Sequence, residues 1–537
     1  MTTVYIFAVI FIFWLAFRFF GKFLENTYKV KEEEPVPSKE KYDGVDYVPT
    51  NKLVLLGHHF SSIAGAGPIV GPIIAGLAFG WAPAILWIVL GSIFIGGVHD
   101  FSSLIISIRH GGRSVAEVAK KYINKRTYKI FLVFIWLALM YVVAVFLDLS
   151  ADTFAKEPAV AQVSILYIFV AILFGISLYR LKIKLGLSTL IALIIVFAGI
   201  VYSLGNPFLV LTKSAWIWIL IGYCFLASIL PVWFLLQPRD YLSSYFLYFT
   251  VIIGLIGLIF GRNQINYPAF VSFSSPSIGP LIPFMFITIA CGAISGFHSL
   301  VASGTTSKQL DSPKNARFVA YGGMLLEGVV AAISLSTVMI LTKGQTGSNP
   351  QQIYSEGIGK FCSIVGINPR AGQILGYLAI SAFILTTVDT ATRIARYIFQ
   401  ELFEIKESLG SRIFATVISL ILPILLLNMK LRDFSGNIVP VWKVVWPIFG
   451  TTNQLLAALV LLIIYVWVKR ENFKHSLAII LPMIFMLAMT LTALSYTIVV
   501  KMIHNQYDVI TITSMILFAL AIFVVIESIS AIRGKEA

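Results

Sequence analysis

The chain has 537 residues, of which 58% are hydrophobic and 12% charged, with a mean hydropathy of +0.89. Soluble domains carry about 25% charged residues, so this composition excludes a string of soluble domains and points to a polytopic membrane protein. The net charge of +15 raises nucleic acid as a partner, but the placement of the basic residues assigns them another role.

Apolar stretches of about 20 residues, each able to cross a hydrocarbon core of about 30 Å, recur along the chain. They lie near 3–24, 55–80, 82–109, 128–150, 160–181, 184–205, 213–237, 243–262, 278–302, 317–343, 371–402, 411–428, 445–468, 475–501 and 509–533. The expected fold is therefore an all-α polytopic membrane protein of about fifteen spans. With the N-terminus outside and the C-terminus cytoplasmic, alternate loops hold about thirty Lys/Arg inside and about ten outside, the bias that orients membrane proteins. The 109–129 loop, Lys182, Lys308 and Lys314 belong to the inner set. The excess charge is topological: the expected partner is the lipid bilayer of the inner (cytoplasmic) membrane, and no nucleic acid.

The first span, VYIFAVIFIFWLAFRFFGKF, lacks a basic leader and a small-residue cleavage site, so it reads as a retained accessory helix. The polar stretch KVKEEEPVPSKEKYDGVDY that follows reads as a cytoplasmic linker, giving a first unit of 1–52.

The second span opens with HHFSSIAGAGPIVGP. Gly65, Gly67, Pro68, Gly71 and Pro72 break the helix in mid-span. Open backbone groups cost several kcal/mol in hydrocarbon, so such a break is tolerated only where protein or a water-filled cavity covers it. Its freed N–H groups suit a carboxylate and its carbonyls a cation; a packed kink of small residues is the plainer alternative. Gly65, Ala66, Gly67, Pro68 and Gly71 are the substrate-binding candidates here. His58 and His59, near the inner end of the span, suit a proton relay or an interfacial pair bound to loop groups.

The third span carries Asp100 in GGVHDFSSLIIS, where an ionisable side chain in lipid marks a functional site by default. Asp100 either couples an ion or braces the broken helix. The seventh span ends in SILPVWFLLQPRDYLSSY and is interrupted by Pro231 and Pro238. Two five-helix units of opposite orientation, each beginning with an interrupted helix, point to an inverted-repeat transporter. The units expected are 53–205 and 206–405, with accessory helices over 406–537.

The ninth span ends in ISGFHSLVASGTTSKQL. Its hydroxyls at Ser295, Ser299, Ser303, Thr305 and Thr306 suit a hard cation, and His298 a proton or a carboxylate; interhelical packing is the alternative. Glu327, in YGGMLLEGVVAAISL, has no local partner and is the better proton carrier. Asp389 is a second coupling candidate, but Arg393 four residues on makes a structural ion pair the alternative. The segment 344–370 reads as a long outer loop, and WPIFGTTNQLLAAL as a gate or a helix cap. Cys224, Cys291 and Cys362 form neither a disulfide framework nor a metal cluster. No GxxxxGK[ST] motif occurs, so neither ATP hydrolysis nor a cofactor is expected.

Together, GHHFSSIAGAGPIVGP, GGVHDF, PVWFLLQPRDYLSSY, GFHSLVASGTTSKQL and WPIFGTTNQLLAAL resemble the carbon starvation protein A (CstA) family of inner-membrane carriers. The resemblance implies a LeuT-type core of five plus five helices within the amino-acid–polyamine–cation superfamily. It implies that 65–72 is the unwound first core helix and 231–240 the unwound sixth, adding Phe234, Gln237 and Pro238 to Ser295 and His298 as substrate contacts. It places the ninth span eighth in the core, with Ser303, Thr305 and Thr306 as a possible Na⁺ site. Peptides and pyruvate are the substrates implied. The expectation is a secondary active importer, driven by protons or sodium, of a small carboxylated nutrient, and not an enzyme. Two rivals are weighed against it: an intramembrane serine hydrolase on Ser295 or Ser299 with His298, and an uncoupled channel or nutrient sensor.

Overall fold

The computed structural model describes residues 2–341, 349–432, 438–440, 446–474 and 476–533. The helices, in chain order, are α1 (Thr2–Thr27), α2 (Pro37–Glu40), α3 (Lys52–Ala64), α4 (Gly67–Phe79), α5 (Trp81–Arg109), α6 (Val115–Tyr122) and α7 (Lys125–Lys156). They continue as α8 (Pro158–Tyr179), α9 (Leu185–Gly205), α10 (Lys213–Ile229), α11 (Leu236–Phe260), α12 (Leu281–Thr288) and α13 (Gly296–Gly304). The last are α14 (Arg317–Met339), α15 (Pro350–Ile364), α16 (Pro369–Leu402), α17 (Leu409–Asn428), α18 (Trp446–Arg470), α19 (Leu477–Ile503) and α20 (Val509–Arg533). Two short antiparallel pairs, at 274–280 and 430–440, are the only strands among the described residues.

Twelve helices are long and apolar enough to cross a membrane, and α3 with α4 forms one further span bent by 41°. The all-α polytopic fold is as the composition predicts. The expected break in the second span is present: α3 ends at Ala64 and α4 begins at Gly67.

The second break is elsewhere. Residues 231–240 do not interrupt one span. They connect two, because α10 ends at Ile229 and α11 begins at Leu236. Pro231 lies in the connection and Pro238 in the first turn of α11, where a proline removes no intrahelical hydrogen bond. The helix that does come apart is the ninth span, where Ile289–Ser295 separates α12 from α13. Part of the expected outer loop is also helical, as α15; residues 342–348 lie outside the described residues.

Two sets of five spans pack in a reciprocal pattern. The half-helix α4 packs on α14, and α13 packs on α5. The long helices α7 and α16 lie against each other; α10 and α17 each pack on both of them. The half-helix α3 rests on α11, as α13 rests on α18. The pattern groups α3–α4, α5, α7, α10 and α11 in one set, and α12–α13, α14, α16, α17 and α18 in the other. The hairpin α8–α9 lies between α7 and α10 in the chain and packs mainly on itself and α11. Helix α1 packs on α11 and α14, and α19 and α20 pack on α18.

Candidate functional site

The two breaks meet. Gly65 has φ +51°, a conformation that disfavours any side chain. Gly67 faces Cys291 so closely that a methyl group there would collide with the thiol side chain, and a side chain on Gly71 would meet the Thr288 carbonyl. Gly292 in turn lies against Pro68. The small residues of the first break thus admit the backbone of the second, and both sets of freed peptide groups share one region. On the far side of the first break, the Thr387 hydroxyl donates to the Ser62 carbonyl at 3.2 Å, and the Ser62 and Thr390 hydroxyls pair at 3.2 Å.

Beside the breaks lies a fully buried acid–histidine set drawn from three spans. The first turn of α13 places His298 Nδ1 3.0 Å from Asp100 Oδ2 on α5, and His298 Nε2 3.3 Å from Glu327 Oε2 on α14. His99 Nδ1 reaches the other Asp100 oxygen at 2.8 Å. Among the described residues neither Glu327 oxygen has a hydrogen-bond partner, nor do His298 Nε2, His99 Nε2 and His59 Nε2. Asp100, His298 and Glu327, far apart in sequence, therefore stand in a row, His298 hydrogen-bonded to Asp100 and 3.3 Å from Glu327 without a hydrogen bond to it. Sequence reading left Glu327 without a local partner; its partner comes from another helix.

His58 and His59 are buried, not interfacial. His59 Nδ1 lies 2.9 Å from Thr306 Oγ1, and His58 Nδ1 lies 2.6 Å from Asp240 Oδ2 on α11. Asp389 does not pair with Arg393. Its partner is Arg239 of α11, a fully buried guanidinium that also donates to Tyr167, Tyr223 and Thr386. Arg393 and Arg396 instead hold Asp46 of the linker. Arg239 and Asp46 carry much of the buried charge and escaped the sequence reading, because their partners lie 150 and about 350 residues away. An Arg-Asp dipeptide at the head of an apolar run, at 239–240, was the available signal.

The remaining candidates separate. Ser295 exchanges hydrogen bonds with Asn453 of α18 (3.1 and 2.9 Å), and Asn453 Oδ1 also accepts from the Phe297 N–H, capping α13 from outside. A narrow apolar cavity lined by Leu139, Tyr141, Phe297, Phe449, Thr452 and Asn453 opens beside this cap. Ser303 and Thr305 donate to the Ser299 and Val301 carbonyls of their own helix, while Thr306 turns to His59. Each of the three hydroxyls is thus engaged with a partner inside the protein. Gln237 bonds Tyr179, Thr50 and Gln309, so it and Phe234 in the connection lie at the linker face, away from the breaks. Ser299 donates to Gly296 O, and His298 faces two carboxyls. Neither serine of the hydrolase reading has the histidine contact that nucleophile activation requires.

The match to the family model "Carbon starvation protein CstA" covers residues 1–352 and 345–493. The peptide transporter CstA of Escherichia coli (strain K12) is 32% identical over 90% of this chain and 80% of its own length. The peptide transporter CstA of Bacillus subtilis (strain 168) is 34% identical over 84% of this chain and 82% of its own. The pyruvate/proton symporter BtsT of E. coli is 30% identical over 91% and 80%. Among solved structures, a manganese transporter from Eremococcus coleocola superposes with a TM-score of 0.52 at 14% identity, covering 91% of this chain and 98% of its own; the likeness is one of fold. On the family model and these relatives, the chain belongs to the carbon starvation protein CstA family.

Proposed function

We propose that this membrane transporter is a secondary active importer of a small carboxylated nutrient, pyruvate or a short peptide, coupled to protons. The observation that carries the reading is the meeting of the two interrupted spans beside the Asp100–His298–Glu327 chain. Half-helix ends leave N–H groups that donate to a carboxylate, and these donors and the helix dipoles act where water or ligand can reach them. The substrate carboxylate lies against the breaks at Gly65–Gly71 and Ile289–His298, with Ser295 and His298 at its edge. Glu327 takes up and releases the coupled proton, passing it through His298 to Asp100. Ionisable groups held this deep are the usual parts of proton relays in transporters. The two reciprocal sets move against each other in alternating access, the general behaviour of repeat-built carriers. The topology has its N-terminus outside and its linker at the cytoplasmic face.

The relatives named for peptides and for pyruvate with protons support both substrate classes. The test uses purified protein in liposomes, offered labelled pyruvate or dialanine under an imposed proton or sodium gradient. Accumulation of either substrate with the proton gradient is expected. Accumulation only with sodium would replace the coupling ion, and downhill entry indifferent to both gradients would leave a channel.

A further inference from the structure

The linker is not a passive tether. Its segment 43–50 runs as a strap across the face where α3, α11, α13 and α16 end. Asp43 Oδ1 accepts from the Val45, Asp46 and Tyr47 N–H groups at 2.8–2.9 Å, folding the strap's tip. Val232 N donates to Val45 O, and Trp233 Nε1 to Gly44 O, which fixes the strap to the α10–α11 connection. Val48 N and Thr50 N donate to Lys308 O and Gln309 O, just beyond α13. The strap therefore ties the end of an interrupted span to α16 and to the α10–α11 connection, elements drawn from both reciprocal sets.

Its side chain at the centre is a carboxylate among cations. Asp46 is 1% exposed, and its two oxygens meet Arg393 Nη1 at 2.6 Å and Arg396 Nη2 at 2.7 Å. Lys308 Nζ sits 3.2 Å from the Tyr397 ring centre, and Tyr397 itself stacks on Arg396. The nearby acids are otherwise engaged: Glu401 accepts from Ser114, and Glu407 lies 3.8 Å from Arg412. Among the described residues, Arg393 Nε, Arg396 Nε and Arg396 Nη1 are buried without hydrogen-bond partners. Asp46, with Asp43 and Glu407 oxygens within 4.8 Å of it, is thus held by two arginines that keep donors to spare, with Lys308 beside them, in a place where unpartnered buried donors are costly. Guanidinium forks recognise any carboxylate in the same way.

We infer that Arg393, Arg396 and Lys308 form a carboxylate-binding site at the linker-face mouth of the transport route, filled here by Asp46 and taken over by the carboxylate of a departing substrate. Substrate arrival then frees the strap, and substrate departure returns Asp46 to its place. The inference rests on the reading that the cargo is carboxylated, but the site itself accepts a carboxylate whether or not it is cargo.

Hydrogen exchange of peptides covering 43–50, on the full-length protein in nanodiscs, tests this. The probes are sodium acetate, sodium pyruvate, neutral methyl pyruvate, and sodium chloride at matched ionic strength. Either carboxylate should speed exchange at Val45–Thr50 saturably, by about fivefold or more, as expected when a local opening is favoured. Methyl pyruvate and chloride should leave it unchanged. In Arg396→Gln the strap should exchange fast from the start and ignore acetate, whereas Asp46→Glu should keep both protection and response. Strap protection in the wild type that neither carboxylate alters, or that methyl pyruvate alters equally, would overturn the inference. The acetate arm needs no transport, so a failure of gradient-driven uptake and a failure of strap release are separate results.

Discussion

At the scale of single residues, the chemistry rests on groups whose partners come from other helices. Glu327 faces His298 at 3.3 Å with both carboxyl oxygens otherwise unpartnered. Replacing it with glutamine keeps the shape and removes the titration. Glu327→Gln should lose at least about 90% of the initial rate of proton-driven uptake, about 1.4 kcal/mol in the barrier, while exchange of substrate across equal concentrations persists. Initial rates measured from pH 5.5 to 8 should also flatten; a profile as steep as wild type would make Glu327 structural. Asp46 makes a second prediction. Burial alone would raise its carboxyl, but the charges of Arg396, Arg393 and Lys308 outweigh burial and hold it well below the usual carboxylate range. Its contribution is therefore fully present above the unfolded value of about 3.9 and is lost only as pH falls through the lower folded value. Strap protection should stay level from pH 7 down to about pH 4, which exchange measured across that range checks. Asp100, His298 and Glu327 were legible in the sequence because ionisable groups stand out in apolar runs. Arg239 with Asp389, and Arg393 with Asp46, were not, because a neighbour four residues away on one helix masks a partner that only tertiary packing supplies.

At the scale of elements, prolines proved an ambiguous signal and small residues a better one. The first break announced itself through glycines and prolines together, and Gly65 at φ +51° shows why a glycine is needed there. The second break, CGAIS at 291–295, contains no proline and one glycine, so periodicity carried straight through it. Pro231 and Pro238 suggested an interruption, but a proline at the head of a helix reads the same in sequence as one that breaks a span. The two cases separate by mutation. Gly67→Val forces a branched side chain into Cys291 and should abolish transport and lower the melting temperature, overpacking of this kind costing about 1–3 kcal/mol. Pro238→Ala, in a first turn, should leave uptake within about twofold of wild type, as a neutral exchange at an N-terminal position does. Comparable losses from both would return the second interruption to 231–240.

For the whole molecule, about fifteen spans are expected from hydropathy, against twelve long apolar helices and one bent pair among the described residues, and hydropathy does not show how they group. A hairpin inserted within one set of five shifts every later helix out of register with its counterpart, and no single-sequence signal marks it as an insertion. Reciprocal packing of α4 on α14 and α13 on α5 restores the order and brings the two interruptions face to face. That meeting is the central claim, and Cys291 offers a native reporter inside it. With Cys224 and Cys362 replaced by serine, Cys291 should react with a small maleimide in nanodiscs, and saturating amounts of whichever of pyruvate and dialanine is transported should slow the reaction at least about tenfold by occupying the adjoining break. A Cys291 labelling rate that the transported substrate leaves unchanged would contradict a binding site between the two interrupted spans.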